Sequence, residues 1–104
     1  MIQVSPGQTV EQRASDVVVY ELPLDVWDND FAKVQTTAEY AVIVMRGAEP
    51  IDVQAHGLQA NRRSALLTVS GGHAGGKYEI ARTARTKGPT PEQRTKVFRV
   101  RVIG

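Results

Sequence analysis

Apolar residues in this chain recur at every second position rather than at the three-and-four spacing of an amphipathic helix, and the alternating runs are bounded by Gly, Pro, Asn and Asp. The pattern predicts an all-β chain. Its clearest run is Val17 to Leu24, where Val18, Tyr20, Leu22 and Leu24 share one face and Val17, Val19 and Glu21 the other. Pro23 has no N–H for a ladder, so that end is expected at an edge or a bulge. Near the C-terminus, Tyr78, Ile80, Arg82 and Ala84 alternate along one run and Phe98, Val100 and Val102 along another, which predicts a long hairpin. Lys87-Gly88-Pro89-Thr90-Pro91 is its loop, and Arg99 and Arg101 should project outward beside Lys77, Glu79 and Thr83.

Between these runs the signals are shorter. Asp28-Asn29-Asp30 is turn chemistry, because short amide and carboxylate side chains bond their own backbone, and a weak strand Phe31 to Thr36 follows. Tyr40 to Met45 is apolar on both faces, which predicts a central strand buried on both sides or a subunit contact. A turn from Arg46 to Pro50 leads to a short strand, Ile51 to Gln54, and then to a polar loop from His56-Gly57 through Arg62-Arg63. Ala65 to Val69 is a buried strand, and Ser70 to Gly76 a flexible connection with capacity for positive φ. Residues 1–14, with a Ser5-Pro6-Gly7 turn signal, read as an N-terminal arm or edge strand; residues 15–104 form a single domain. About seven short strands fit an antiparallel, immunoglobulin-like β-sandwich better than a small barrel, since such a sandwich needs about 100 residues and the chain has 104.

Composition adds limits. With 41% apolar and 23% charged residues, the chain can build a core. Its longest apolar run is far short of the roughly 20 residues that cross a bilayer, and Met1-Ile2-Gln3-Val4 has no charged n-region, so neither a membrane segment nor a signal peptide is expected. The absence of cysteine rules out a disulfide framework and suits a reducing cytoplasm. A net charge of +2 conceals an asymmetry: residues 1–59 carry three basic against nine acidic side chains, and residues 60–104 ten against two. Such a split can mark a nucleic-acid surface or self-complementary docking, but two halves that interleave in a sandwich need not give a divided surface, and nucleic acid is not the expected partner.

No constellation supports catalysis. The Gly-rich segment Ser70 to Gly76 leads into a strand, not into the helix opened by Gly-Lys-Ser/Thr that a phosphate loop requires. His56 and His73 lack further ligands at convergent positions, so no metal or other cofactor is expected. Ser70 with His73 has no rigid third residue to orient the imidazole, and Asp28 with Asp30 reads as a turn. Trp27 is either a core residue or a binding anchor.

The stretch Val69-Ser70-Gly71-Gly72-His73-Ala74-Gly75, then Lys77-Tyr78-Glu79-Ile80, Ala84-Arg85-Thr86, Glu92-Gln93-Arg94 and Phe98-Arg99-Val100-Arg101-Val102 resembles the short virion proteins of tailed bacteriophages called fiber-tail adaptors. The likeness extends weakly to Asp16 through Phe31; His73 stands where that family has threonine, and the family's third-strand tryptophan is absent unless Tyr40 replaces it. The resemblance implies an immunoglobulin-like, non-enzymatic subunit in several copies, assembled in the host cytoplasm, docked on the neck or tail and touching fibers, ring neighbours or its own copies. A head decoration protein and a glycan-binding fiber module are the alternatives. The expected interface residues are Ile2, Val4 and Val10 on the arm, Trp27, and Lys77, Arg82, Arg85, Arg99 and Arg101 on the terminal hairpin.

Overall fold

The computed structural model describes residues 1–28, 35–44, 50–58, 64–86, 90 and 92–104. Among the described residues the chain is all-β apart from one helical turn. In order it forms β1 (Ile2–Gln3), β2 (Thr9–Arg13), β3 (Val17–Pro23), α1 (Leu24–Trp27), β4 (Gln35–Val44), β5 (Ile51–Leu58), β6 (Ser64–Gly71), β7 (Lys77–Thr86) and β8 (Gln93–Ile103). Two four-stranded sheets result, ordered β1-β3-β6-β5 and β2-β8-β7-β4. Their inner faces share one apolar cluster, in which Tyr20, Leu22, Leu67 and Val69 of the first sheet meet Tyr78, Ile80, Phe98, Val100 and Val102 of the second. Each set consists of alternate residues of a strand, so the pleat alone sends them to one face.

Both sheets are mixed rather than purely antiparallel, because the N-terminal arm pairs in parallel with each. β1 runs beside β3, with Ile2 opposite Tyr20, and β2 runs beside β8, with Val10 opposite Val100. Between them the chain turns at Ser5–Gln8, where the Gln8 N–H donates to the Ser5 carbonyl and the Ser5 N–H to Gln8 Oε1. The arm thus ascends one sheet, crosses, and descends the other, closing one lateral side of the molecule. Val4 and Val10 point inward and are buried. Gln12 does the same with a polar head: it accepts from the Tyr20 hydroxyl at 2.7 Å and donates to the Val69 carbonyl at 3.1 Å, so one side chain from β2 ties down two strands of the opposite sheet.

The strand at Val17 ends one residue before Leu24. Pro23, at φ −62°, is the N-cap of α1, and this single turn swings Trp27 inward, edge-on to Phe98 at 5.8 Å with its indole N–H on the Val4 carbonyl at 2.7 Å. β4 is the last strand of its sheet, not a central one: Tyr40 and Val42 are half-buried against the core, while Ala41 and Ile43 are exposed. β5 continues through His56, expected in a loop, because this segment still pairs with β6 up to a register shift between Ala55 and Leu58. His56 Nε2 contacts Thr68 Oγ1 across that pair.

The Gly-rich connection is a packed turn rather than a loose one. Gly72, at φ +80°, and Gly76 lie so close to Tyr78 that a Cβ on either would sit 2.9 or 2.8 Å from its hydroxyl oxygen, and Gly75 donates to the Val102 carbonyl. The expected turns at Asn29-Asp30 and Arg46 to Glu49, the strand start at Phe31 to Val34, and the loops at Gln59 to Arg63 and Lys87 to Pro89 with Pro91 lie outside the described residues.

Candidate interaction surface

The outer face of the β2-β8-β7-β4 sheet collects most of the charged residues singled out in the sequence. Cross-strand register arranges them in rows: Glu11, Arg101 and Lys77 in one, Thr9, Arg99, Glu79 and Ile43 in the next, then Val97, Ala81 and Ala41, then Thr95, Thr83 and Glu39. Arg99 Nε lies 3.2 Å from Glu79 Oε1, Arg85 Nη2 3.6 Å from Glu39 Oε2, and Arg101 Nη1 3.8 Å from Glu11 Oε1. Arg85 Nε also donates to Gln93 Oε1 at 3.0 Å. Pairs this exposed contribute about 0–1 kcal/mol each, so they order the face more than they hold the fold. A depression of about 290 Å³ opens between Lys77, Glu79, Arg99, Arg101 and Thr9.

These pairs also explain the charge asymmetry along the chain. Glu11 and Glu39 come from the acidic first half, and their partners Arg101 and Arg85 from the basic second half. The same holds for a third pair in the interior: Arg82 Nη2 meets Asp28 Oδ2 at 2.7 Å, with both side chains only 3% exposed. The sheet order brings the halves side by side, so three of the nine acidic side chains of the first half are matched by basic ones of the second.

The sequence-predicted interface residues divide accordingly. Ile2, Lys77, Arg85, Arg99 and Arg101 present exposed side chains. Val4, Val10, Trp27 and Arg82 do not: they are buried in this chain's own core, at 1%, 9%, 2% and 4% exposure, and cannot serve a partner without unfolding. The arm's apolar residues close the chain's own two sheets, and Trp27 is a core residue. Arg82 follows the alternation of Tyr78, Ile80 and Ala84 to the inner face, where its guanidinium lies 5.7 Å from the centre of the Tyr40 ring. That ring's hydroxyl titrates above its ordinary range, raised first by burial, with Arg82 opposing and Asp28 adding to the effect.

The buried Asp28–Arg82 pair and the Gln12–Tyr20 contact were not anticipated. The signal for both was a polar residue in register with apolar ones, Arg82 after Ile80 and Gln12 after Val10. Ser70 lies on β6 opposite Val17 and Asp52, and His73 in the following turn, where its carbonyl accepts from Gly76. Among the described residues no three His, Cys, Asp or Glu side chains converge as metal ligands, and no helix is long and apolar enough to cross a membrane. No family model and no curated protein matches the chain.

Proposed function

We propose that this chain is a non-enzymatic structural subunit of a tailed bacteriophage virion, an adaptor of the neck or tail that works by surface contact. The observation that carries the reading is that the stretch resembling fiber-tail adaptors, Val69 to Val102, is one connected structural unit. The end of β6, the glycine turn packed on Tyr78, and the β7–β8 hairpin follow one another, and the hairpin turns Lys77, Arg85, Arg99 and Arg101 outward. A broad sheet face with interspersed charges of both signs suits docking on another protein, where such charges set register and partner choice more than affinity.

The finer fold reading, an immunoglobulin-like sandwich, is supported by the strand order. If β1 and β2 are counted as one strand divided between the sheets, the first sheet holds strands one, two, five and four and the second holds three, six and seven, the arrangement of the seven-stranded immunoglobulin type. Quantitative mass spectrometry of purified virions from a culture expressing the chain tests the function. A handful to a few dozen copies per particle is expected. Hundreds of copies would move the subunit to the head lattice, and absence from particles would overturn the virion reading.

A further inference from the structure

On the outer face of the β7–β8 hairpin the side chains meet in five cross-strand pairs, and four of them match. Glu79 faces Arg99 as an ion pair at 3.2 Å, Ala81 faces Val97, the hydroxyls of Thr83 and Thr95 share a hydrogen bond of 2.8 Å, and Arg85 donates to Gln93 at 3.0 Å. The fifth pair is Lys77 with Arg101, two cations directly opposite each other. Like charges in that position are destabilising. Arg101 has partial relief from Glu11 on its other side, 3.8 Å away, with both side chains more than half exposed. Lys77 is exposed and, among the described residues, its ammonium makes no ion pair. The mismatch borders the depression of about 290 Å³, where Lys77, Arg99 and Arg101 stand against one carboxylate, Glu79, that Arg99 already holds. The surrounding sheet has the same sign: its strands contain eight basic residues, one in β2, three in β7 and four in β8, against three Glu. The strands of the other sheet contain Glu21 and Asp52 and no Lys or Arg.

We propose that Lys77 and Arg101, with Arg99 beside them, hold a carboxylate from an acidic segment of a partner protein. Seated between the two cations, that carboxylate turns their repulsion into a bridge: a guanidinium can grip it with two parallel N–H donors, and the ammonium adds a point charge. An acidic peptide is favoured over nucleic acid by Glu11 and Glu79, which stand in the same rows as the cations. A strand with a phosphate at every nucleotide would meet those carboxylates, whereas one Asp or Glu side chain between Lys77 and Arg101 does not. The site gives a partner chemistry to the docking face described above and rests on that reading. Peptide binding and incorporation into virions are separate measurements, so either can fail without the other.

Fluorescence anisotropy of fluorescein-labelled hexaglutamate, titrated with the full chain, tests the site, with hexaglutamine and hexathymidylate as comparison probes. At about 0.15 M salt, exposed charges more than about 8 Å apart are largely screened. Hexaglutamate is expected to bind and hexaglutamine not. Lys77→Gln and Arg101→Gln should each weaken binding about fivefold, the upper range for one exposed ion pair. Arg94→Gln removes the same charge about 23 Å away along β8 and should leave binding unchanged. Lys77→Gln should also melt no lower than the wild type, because it removes a repulsion. The proposal is overturned by hexaglutamate binding no better than hexaglutamine, by an equal loss in Arg94→Gln, by hexathymidylate binding as tightly, or by a fall in Tm for Lys77→Gln.

Discussion

Removing Asp28 while keeping its shape, as Asn, would leave the Arg82 guanidinium charged and almost wholly buried. At 2.7 Å the attraction between the two ions is about 6 kcal/mol at an effective dielectric constant near 20. Removing both ions from water costs several kcal/mol each, so the pair as a whole adds little net stability. Breaking it is another matter. Among the described residues Arg82 Nε and Nη1 have no hydrogen-bond acceptor, and the Tyr40 ring 5.7 Å away offsets only part of a buried charge once the carboxylate is gone, so the expected loss is about 3–5 kcal/mol. Set against a total stability of about 5–15 kcal/mol for a domain of this kind, that is a fifth or more, and it should lower Tm by at least about 12 °C at this size. Asp28→Leu combined with Arg82→Met should recover most of the loss, since both charges then leave the core together. Trp27, the only tryptophan and buried against Phe98, reports urea unfolding by fluorescence. The reasoning fails if Asp28→Asn costs less than about 1 kcal/mol, or if the costs of the single variants simply add in the double variant.

Tyr20 is pushed up to about 12 by burial and, secondarily, by the Asp16 carboxylate. Its folded value lies above the ordinary 10.0, so the stability it contributes is complete below pH 10 and declines as pH rises towards 12; the urea midpoint of the wild type should fall more steeply over that window than that of Tyr20→Phe. Gly76→Ala drives a Cβ into the Tyr78 hydroxyl and should cost about 1–3 kcal/mol, partly relieved by Tyr78→Phe; Gly75→Ala, with open space but φ +87°, should cost about 1 kcal/mol from backbone strain alone. Paired thermal melts of the three variants would separate clash from strain. Trp27→Phe leaves the Val4 carbonyl without its indole donor, and limited trypsin digestion should then cut after Arg13 faster than in the wild type; equal rates would show that β-pairing alone holds the arm.

The alternation Val18, Tyr20, Leu22, like that of Tyr78 and Ile80 or of Phe98, Val100 and Val102, made the all-β class and the inward faces of β3, β7 and β8 legible, because in a strand the face of a side chain is a local property. For the same reason the outward facing of Arg99 and Arg101, and of Lys77 and Glu79, could be read before any strand was paired, whereas their standing side by side needed the hairpin expected from the loop between them. Which strand lies next to which is not local. Tyr40 to Val44 has the apolar content of a central strand yet ends its sheet. Val4 and Val10 look like a loose arm but seal the core, because the arm crosses from one sheet to the other. The acidic and basic halves of the chain, a division suggestive of a two-faced surface, meet in the pairs Glu11–Arg101, Glu39–Arg85 and Asp28–Arg82. Each of these outcomes depends on contacts between residues of different strands, distant along the chain, for which a period-two pattern carries no information, and only the closing of the two sheets on one another decides them.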